Sequence, residues 1–345
     1  MIALAVASMA PACLEPLPDV TRVDALRILG VQAEPPEVPP GAEVALSALV
    51  VDPTGVPFSL RWYVCLVADR GQGFFGGGGV TSTSGGEGTP LDTDPDGSSC
   101  RAKVAAGRPW AWALGDGDTA AFTVPSDLLD DPAAVALAFG LPESIAIPPE
   151  IAQGLLGIAG LNLTVELVVT SSAAEADGGP PGGEIVATRR INVSLESPVP
   201  DNARNTNPAG FALLLHEGLP AETPPRDQPL PLAGRCLSEA VPTLTAGRSY
   251  TLEPANFPEE PESYWVILAG SSSEAPFELK QTTETWFQSF FATTGTLSKA
   301  ISKQPGAPAN TWTLAPDEVG PASLWMVVRD GRGGLAWCEE TFEVR

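Results

Sequence analysis

The chain is poor in positive charge and in the residues that usually carry catalysis. Its 345 residues include 1 histidine, His216. Its lysines are Lys103, Lys280, Lys299 and Lys303, and the arginines are scattered. With 19 basic against 42 acidic residues the net charge is -23, which excludes nucleic acid as a partner, because phosphate backbones are held by clustered Lys and Arg. No GxSxG elbow or SxxK motif presents a serine to a base, and a lone histidine is a thin basis for general-base chemistry. No apolar run reaches the roughly 18 residues of a membrane-spanning helix. No two cysteines stand as close neighbours of the CxxC kind, so the zinc reading of the cysteines falls away.

What is abundant is turn chemistry: 35 Gly and 36 Pro, which favour short strands over long helices. A hydrophobic content of 43% still supports packed cores, and the length suits two domains.

The apolar start, Met1 to Ala12, reads as a signal peptide ending in Met9-Ala10-Pro11-Ala12-Cys13. Small residues followed by Cys13 suggest a lipobox, although Ala10 stands where a lipobox usually has Leu. Cys13 is therefore the expected lipidation site, with residues 14–24 as a tether, and acyl chains would anchor the protein to the membrane. In an exported chain the remaining Cys65, Cys100, Cys236 and Cys338 imply disulfides. Three connectivities exist; one pair falls in each half, so Cys65–Cys100 and Cys236–Cys338 is the natural pairing. Those loops are worth about 4 and about 5 kcal/mol in the chain-entropy model.

The two halves repeat one pattern. Leu26–Val31 and the alternating Val44, Leu46, Ala48 and Val50 are answered by Phe211–Leu215 and Leu244–Leu252. A tryptophan strand follows in each half, at Trp62 and Trp286, and then a short strand closing on Pro125 or Pro316. The final hairpins align without gaps from Gly182-Gly183 and Gly333-Gly334 onward, matching Ile191 to Phe342 and Val193 to Val344. Such spacing argues for an all-β chain of two immunoglobulin-like β-sandwiches. The expected first domain is 25–197, with a Gly-rich insertion at 71–99 and a partly helical one at 126–160; 198–208 is the linker and 209–345 the second domain. In the helical insertion Ser126 is placed to cap Asp127-Leu128-Leu129, and Pro149 to open a second helix. Their apolar residues are expected to pack on the sandwich. Glu339, Glu340 and Glu343 are expected to keep the edge formed by the last strand soluble.

Trp286, Gly295, Trp312, Pro316, Gly320 and the run Val327 to Gly334 resemble PKD-type and bacterial Ig-like modules. The whole arrangement is similar to predicted envelope lipoproteins common in myxobacteria. The resemblance implies a non-catalytic role in adhesion, spacing or ligand binding at the cell envelope, with an envelope protein or a glycan as partner. It supplies no catalytic residue.

Gly71-Gln72-Gly73-Phe74-Phe75-Gly76 fits GxGxxG, but the glycines that follow cannot sustain the helix a dinucleotide needs. Asp92, Asp94 and Asp96 resemble the opening of an EF-hand loop, and Asp116 and Asp118 are nearby oxygen donors. The twelfth position is Lys103 instead of Glu, which leaves calcium a weak expectation. Trp110 and Trp112 fall on one face of any strand there, the arrangement of a sugar platform, against the plainer reading of core packing. The alternatives to a binding module are thus a calcium- or carbohydrate-binding accessory protein and a hydrolase built from carboxylates alone.

Overall fold

A computed structural model describes residues 19–66, 99–138, 148–172, 183–217, 236, 243–255, 257, 261–269, 277–304 and 309–345. Cys13, the glycine motif at 71–76, and Asp92, Asp94 and Asp96 lie outside these residues.

The first half runs β1 (Arg27–Glu34), β2 (Glu37–Val38), β3 (Glu43–Val51), β4 (Phe58–Leu66), α1 (Cys100–Ala105), β5 (Ala111–Asp116), β6 (Thr119–Thr123), α2 (Pro132–Ala138), α3 (Pro149–Ile158), β7 (Leu161–Ser171) and β8 (Glu184–Val193). One sheet has the order β1-β3-β6, the other β2-β8-β7-β4-β5. All the pairings are antiparallel except β2, which lies parallel to β8. Early strands that split between the two sheets, and a last strand that returns beside the second, make an immunoglobulin-like sandwich. The side chains turned inward include Val44, Leu46, Trp62, Val64, Phe122, Leu163, Val165, Ile191 and Val193. The helical insertion feeds the same core through Leu128, Leu129, Val135 and Leu156. Pro149 does open α3 at its first turn.

The second half runs β9 (Ala212–Glu217), β10 (Ser249–Ala255), β11 (Ser263–Ala269), β12 (Phe277–Thr283), β13 (Trp286–Ala292), β14 (Thr296–Leu297), β15 (Ile301–Gln304), β16 (Asn310–Thr313), β17 (Gly320–Arg329) and β18 (Leu335–Val344). Its sheets are β14-β16-β10-β9 and β15-β13-β17-β18, with β11-β12 as a separate hairpin. The topology of the first half is repeated: Leu244 even bridges Val344 in parallel, as β2 does β8. Ile191, Val193, Phe342 and Val344, the residues matched by sequence, are all buried. The expected disulfides close in both halves: Cys65–Cys100, with 5.3 Å between Cα atoms, and Cys236–Cys338, with 4.9 Å. On β18, Glu339 and Glu343 face solvent. Glu340 does not. It is buried on the side of Cys338 and Phe342, because period-2 alternation assigns it to the core face.

The two sandwiches are stacked on one another. Leu29, Leu49, Trp325, Val327 and Leu335 form a third apolar cluster between β1/β3 and β17/β18, joined by Val23. A bulge in β1 makes this fit: the register slips between Ile28 and Gly30, which turns Leu29 toward the second sandwich and restores Val31 to the first core. A β-carbon at Gly30 would press on Leu335 at 3.3 Å. Residues 19–24, from the segment read as a tether, belong to this joint as well. Val23 N–H donates to Ala292 O, Ala292 N–H donates to Thr21 O, and Arg22 pairs with Glu318 at 2.9 Å.

Trp325 is buried in this third cluster. Trp325→Ala is expected to cost about 3–5 kcal/mol, as large-to-small core changes do. The cost falls on the joint. Urea unfolding followed by far-UV circular dichroism should change from one transition to two.

Candidate functional site

Two polar regions of the described structure stand out, one at the rim of the joint and one on an outer face. The first is organised by Arg332, on the turn between β17 and β18. Its guanidinium lies 3.2 Å from Glu284, 3.6 Å from Glu37 and 3.7 Å from Glu262. It donates to Ala203 O and sits 4.5 Å over the ring of Tyr264. Asp330 accepts from the backbone N–H groups of Arg332, Gly333 and Gly334 and from Asn205 Nδ2. Any side chain at Gly334 would collide with the Asp330 carboxylate, so the turn demands glycine there.

Residues 198–208 run through this cluster. Asn205 donates its backbone N–H to Glu37 and its amide to Asp330. Asn207 donates to Ala33 O and Glu34, and accepts from Leu335 N–H. Each asparagine thus bonds to both sandwiches. Arg189 on β8 donates to Gly333 O across the same joint. Arg329 on β17 donates to Leu29 O at 3.3 Å. Burial pulls both guanidinium pKa values down to about 10.

Burial, with Asp330 as a second cause, raises Glu284 to about 7 against the partial relief of Arg332. A carboxyl shifted this far marks a functional candidate. Here Glu284 is 5% exposed and bonded to Arg332, and both Asp330 oxygens are occupied. The arrangement bonds these carboxylates to groups of both domains.

The second region is the outer face of the β5-β4-β7-β8 sheet. Part of it is covered by α1, held down by the Cys65–Cys100 disulfide and by Glu166. That buried carboxylate accepts the N–H groups of Cys100 at 2.8 Å and Arg101 at 3.3 Å, and its pKa is raised by burial. The remainder is an open depression with Tyr63, Val168 and Thr170 among its lining residues. Two ion pairs rim it: Arg61–Asp116 at 2.8 Å and Arg101–Glu184 at 2.9 Å. Side chains in both pairs are more than a third exposed. Solvent screens pairs this exposed, so a partner can take over either member at little cost.

The remaining sequence candidates resolve as follows. Asp116 is paired with Arg61 across the β4–β5 ladder. Trp110 and Trp112 pack against the first core, with rings 6.2 Å apart, and Trp110 Nε1 donates to Asp131. Both rings are half-buried against that core, the plainer of the two readings. Trp286 and Phe290 lie in the second core, and Phe291 faces the joint. His216 is on β9, opposite Thr251; its side chain lies outside the described residues. Among the described residues no group of three or more His, Cys, Asp or Glu is placed to hold a metal ion. Sequence reasoning missed Arg332, Asp330 and Glu284 as a unit. The glycines of 330–334 signal a turn, and the carboxylate that organises them carries no local signal.

No protein-family model and no curated protein sequence matches the chain. Among solved structures it is similar to the D0-D1 domain of intimin, at 12% identity and a TM-score of 0.17, over 92% of this chain and 98% of that one. It is likewise similar to the Yersinia pseudotuberculosis adhesin InvE, at 12% identity and a TM-score of 0.17 over 91% of this chain. The chain spans 58% of that adhesin's length. A TM-score this low does not establish a shared fold; the fold class rests on strand order and the two cores.

Glu284 makes stability depend on pH. Its folded pKa of about 7 lies above the ordinary 4.5, so between these values the folded state holds the proton more tightly. The contribution of Glu284 is then largest at or below about pH 4.5 and is lost as pH rises toward 7. Glu284→Gln keeps an acceptor for Arg332 without the charge. Above pH 7 it is expected to be more stable than the natural chain by about 1–3 kcal/mol, a fraction of the linkage for a shift of this size. Below pH 5 the two should converge, in denaturant unfolding measured across pH.

Proposed function

We propose that the chain is a non-catalytic binding module of the cell envelope, exported and anchored through acylated Cys13. The observation that carries the binding reading is the open half of the outer face of the first sandwich. Arg61, Arg101, Asp116 and Glu184 offer both charge signs on a rigid sheet. This suits recognition of a polar protein or glycan surface, because exposed arginines are common anchors of binding patches. They include no nucleophile beside a base, the pairing that covalent catalysis needs. Export is supported by the two disulfides, which persist in oxidising compartments. Anchoring is supported by the small residues before Cys13. An adhesion or spacer role is consistent with two sandwiches locked at a fixed joint.

Two measurements test this reading. Intact mass spectrometry of the membrane-extracted protein should give a chain beginning at acylated Cys13 that gains four protons on reduction, two per disulfide. Cys13→Ala should move the protein to the soluble exported pool, and unchanged membrane retention would overturn the anchor. For the binding face, the double change Arg61→Glu with Arg101→Glu should abolish pull-down of envelope fractions at an unchanged melting temperature. Undiminished pull-down by that variant would move the function elsewhere.

A further inference from the structure

The two sandwiches share a topology but differ at one edge. In the second, β16 lies between β10 and β14, with Thr296 opposite Thr313 and Leu297 opposite Trp312. Its counterpart in the first is β6, and among the described residues β6 pairs with β3 alone.

The geometry of that edge follows from the register. Val124 N–H donates to Ala42 O, so strict antiparallel alternation directs the backbone groups of Phe122 and Ala120 to β3 as well. The N–H and C=O groups of Thr119, Ala121 and Thr123 therefore point away from the sheet. The side chains of these three residues are exposed, while Phe122 is buried in the core.

Natural edges are protected by lysine, proline, bulges or cover. Here β15 carries Lys303, the register of β5 against β4 is broken at Trp62/Tyr63, and Cys236 and Leu244 bond along β18. The five residues of β6, Thr119-Ala120-Ala121-Phe122-Thr123, hold no charge and no proline, in a chain of which 18% is charged.

We propose that β6 is a self-association edge, at which a second copy of this chain adds its own β6 antiparallel across a two-fold axis at Ala121. The sequence is self-complementary in that register. Thr119 meets Thr123, Ala120 meets Phe122, and Ala121 meets its own copy. The outer face then carries a Thr–Thr, Ala–Ala, Thr–Thr row, with threonine pairs of the kind that favour cross-strand contact. No charge opposes another along the seam, as an isologous interface requires. The two copies each carry a net charge of -23. Their repulsion is long-range, so association should strengthen as salt screens it.

Sedimentation velocity of the unlipidated full chain tests this, over a range of loading concentrations at low and at physiological salt. The natural chain should shift toward a dimer with concentration, and further with salt. Ala121→Lys sets two like charges face to face on the exposed side of the seam. Ala121→Pro removes the outward N–H, which makes no bond to β3. Each should weaken association by about tenfold or more, and Ala121→Lys should do so at an unchanged melting temperature. Hydrogen exchange should protect the amides of Thr119, Ala121 and Thr123 in the dimer relative to the dilute chain. A monomer at every concentration would overturn the proposal. So would a dimer that survives both variants, or protection gained at another edge.

Discussion

The stack of sheets depends on one constraint: β17 is apolar on both faces. Leu324, Met326 and Val328 point into the second core while Trp325 and Val327 point the other way. A strand of that kind must be covered twice, as in sheets that carry layers on both sides. The first sandwich supplies the second cover through Leu29 and Leu49. From that follow the bulge at Leu29, the glycine at position 30 and the docking of Val23. Each buried apolar side chain at the joint stabilises it by roughly 1.5–3 kcal/mol at full burial.

An apolar joint has no preferred rotation of its own, and the polar cluster at its rim supplies one. Removing Arg332 from water is costly, and its carboxylate partners return that cost only where the geometry is held. Tyr264, Ala203 and the Asp330 turn hold it. The two asparagines of the connecting segment, Asn205 and Asn207, bond to both sandwiches. A rotation of one sandwich on the other would strand these amides and at least one carboxylate without partners, at about 1–3 kcal/mol for each. The cluster therefore specifies the orientation more than it adds stability, and the raised pKa of Glu284 shows what that specification costs. The connecting segment reads as a linker because it is Pro- and Asn-rich, yet its asparagines are the residues with the most demanding contacts at the joint.

Much of the architecture was legible in the chain. The paired hairpins β7/β8 and β17/β18 carry alternation and turn glycines, Pro149 marks α3, and one cysteine pair in each half gave the disulfides. What escaped was set by partners distant in sequence. The uninterrupted run Leu324-Trp325-Met326-Val327-Val328 signals burial on both faces, but a single sequence does not say what lies on the second. The hairpin β11–β12 follows Pro254, Pro258 and Pro261, which read as a loop and mask the strand signal behind them. Glu340 looks like a solubilising charge beside Glu339, and only its parity with Cys338 and Phe342 places it inside. At the candidate site, Arg61 and Arg101 are legible as charges alone. Their position on either side of Tyr63 depends on α1 being pinned to the sheet by Cys100 and Glu166.

Stacking four sheets also decides where a function can reside. The two inner sheets, β1-β3-β6 and β15-β13-β17-β18, have their faces engaged in the cores and the joint, so recognition is left to outer faces and free edges. On the outer face of the first sandwich, α1 shelters the disulfide, and the two ion pairs stay in the open. The same stacking explains why an inner sheet can still reach a partner through β6. Its faces are engaged, but a sheet's hydrogen-bonding direction lies in its own plane. A sheet packed between layers can still be extended along that direction, where the cost of adding a strand is ordering a short segment and the return is backbone bonds that no side chain has to supply.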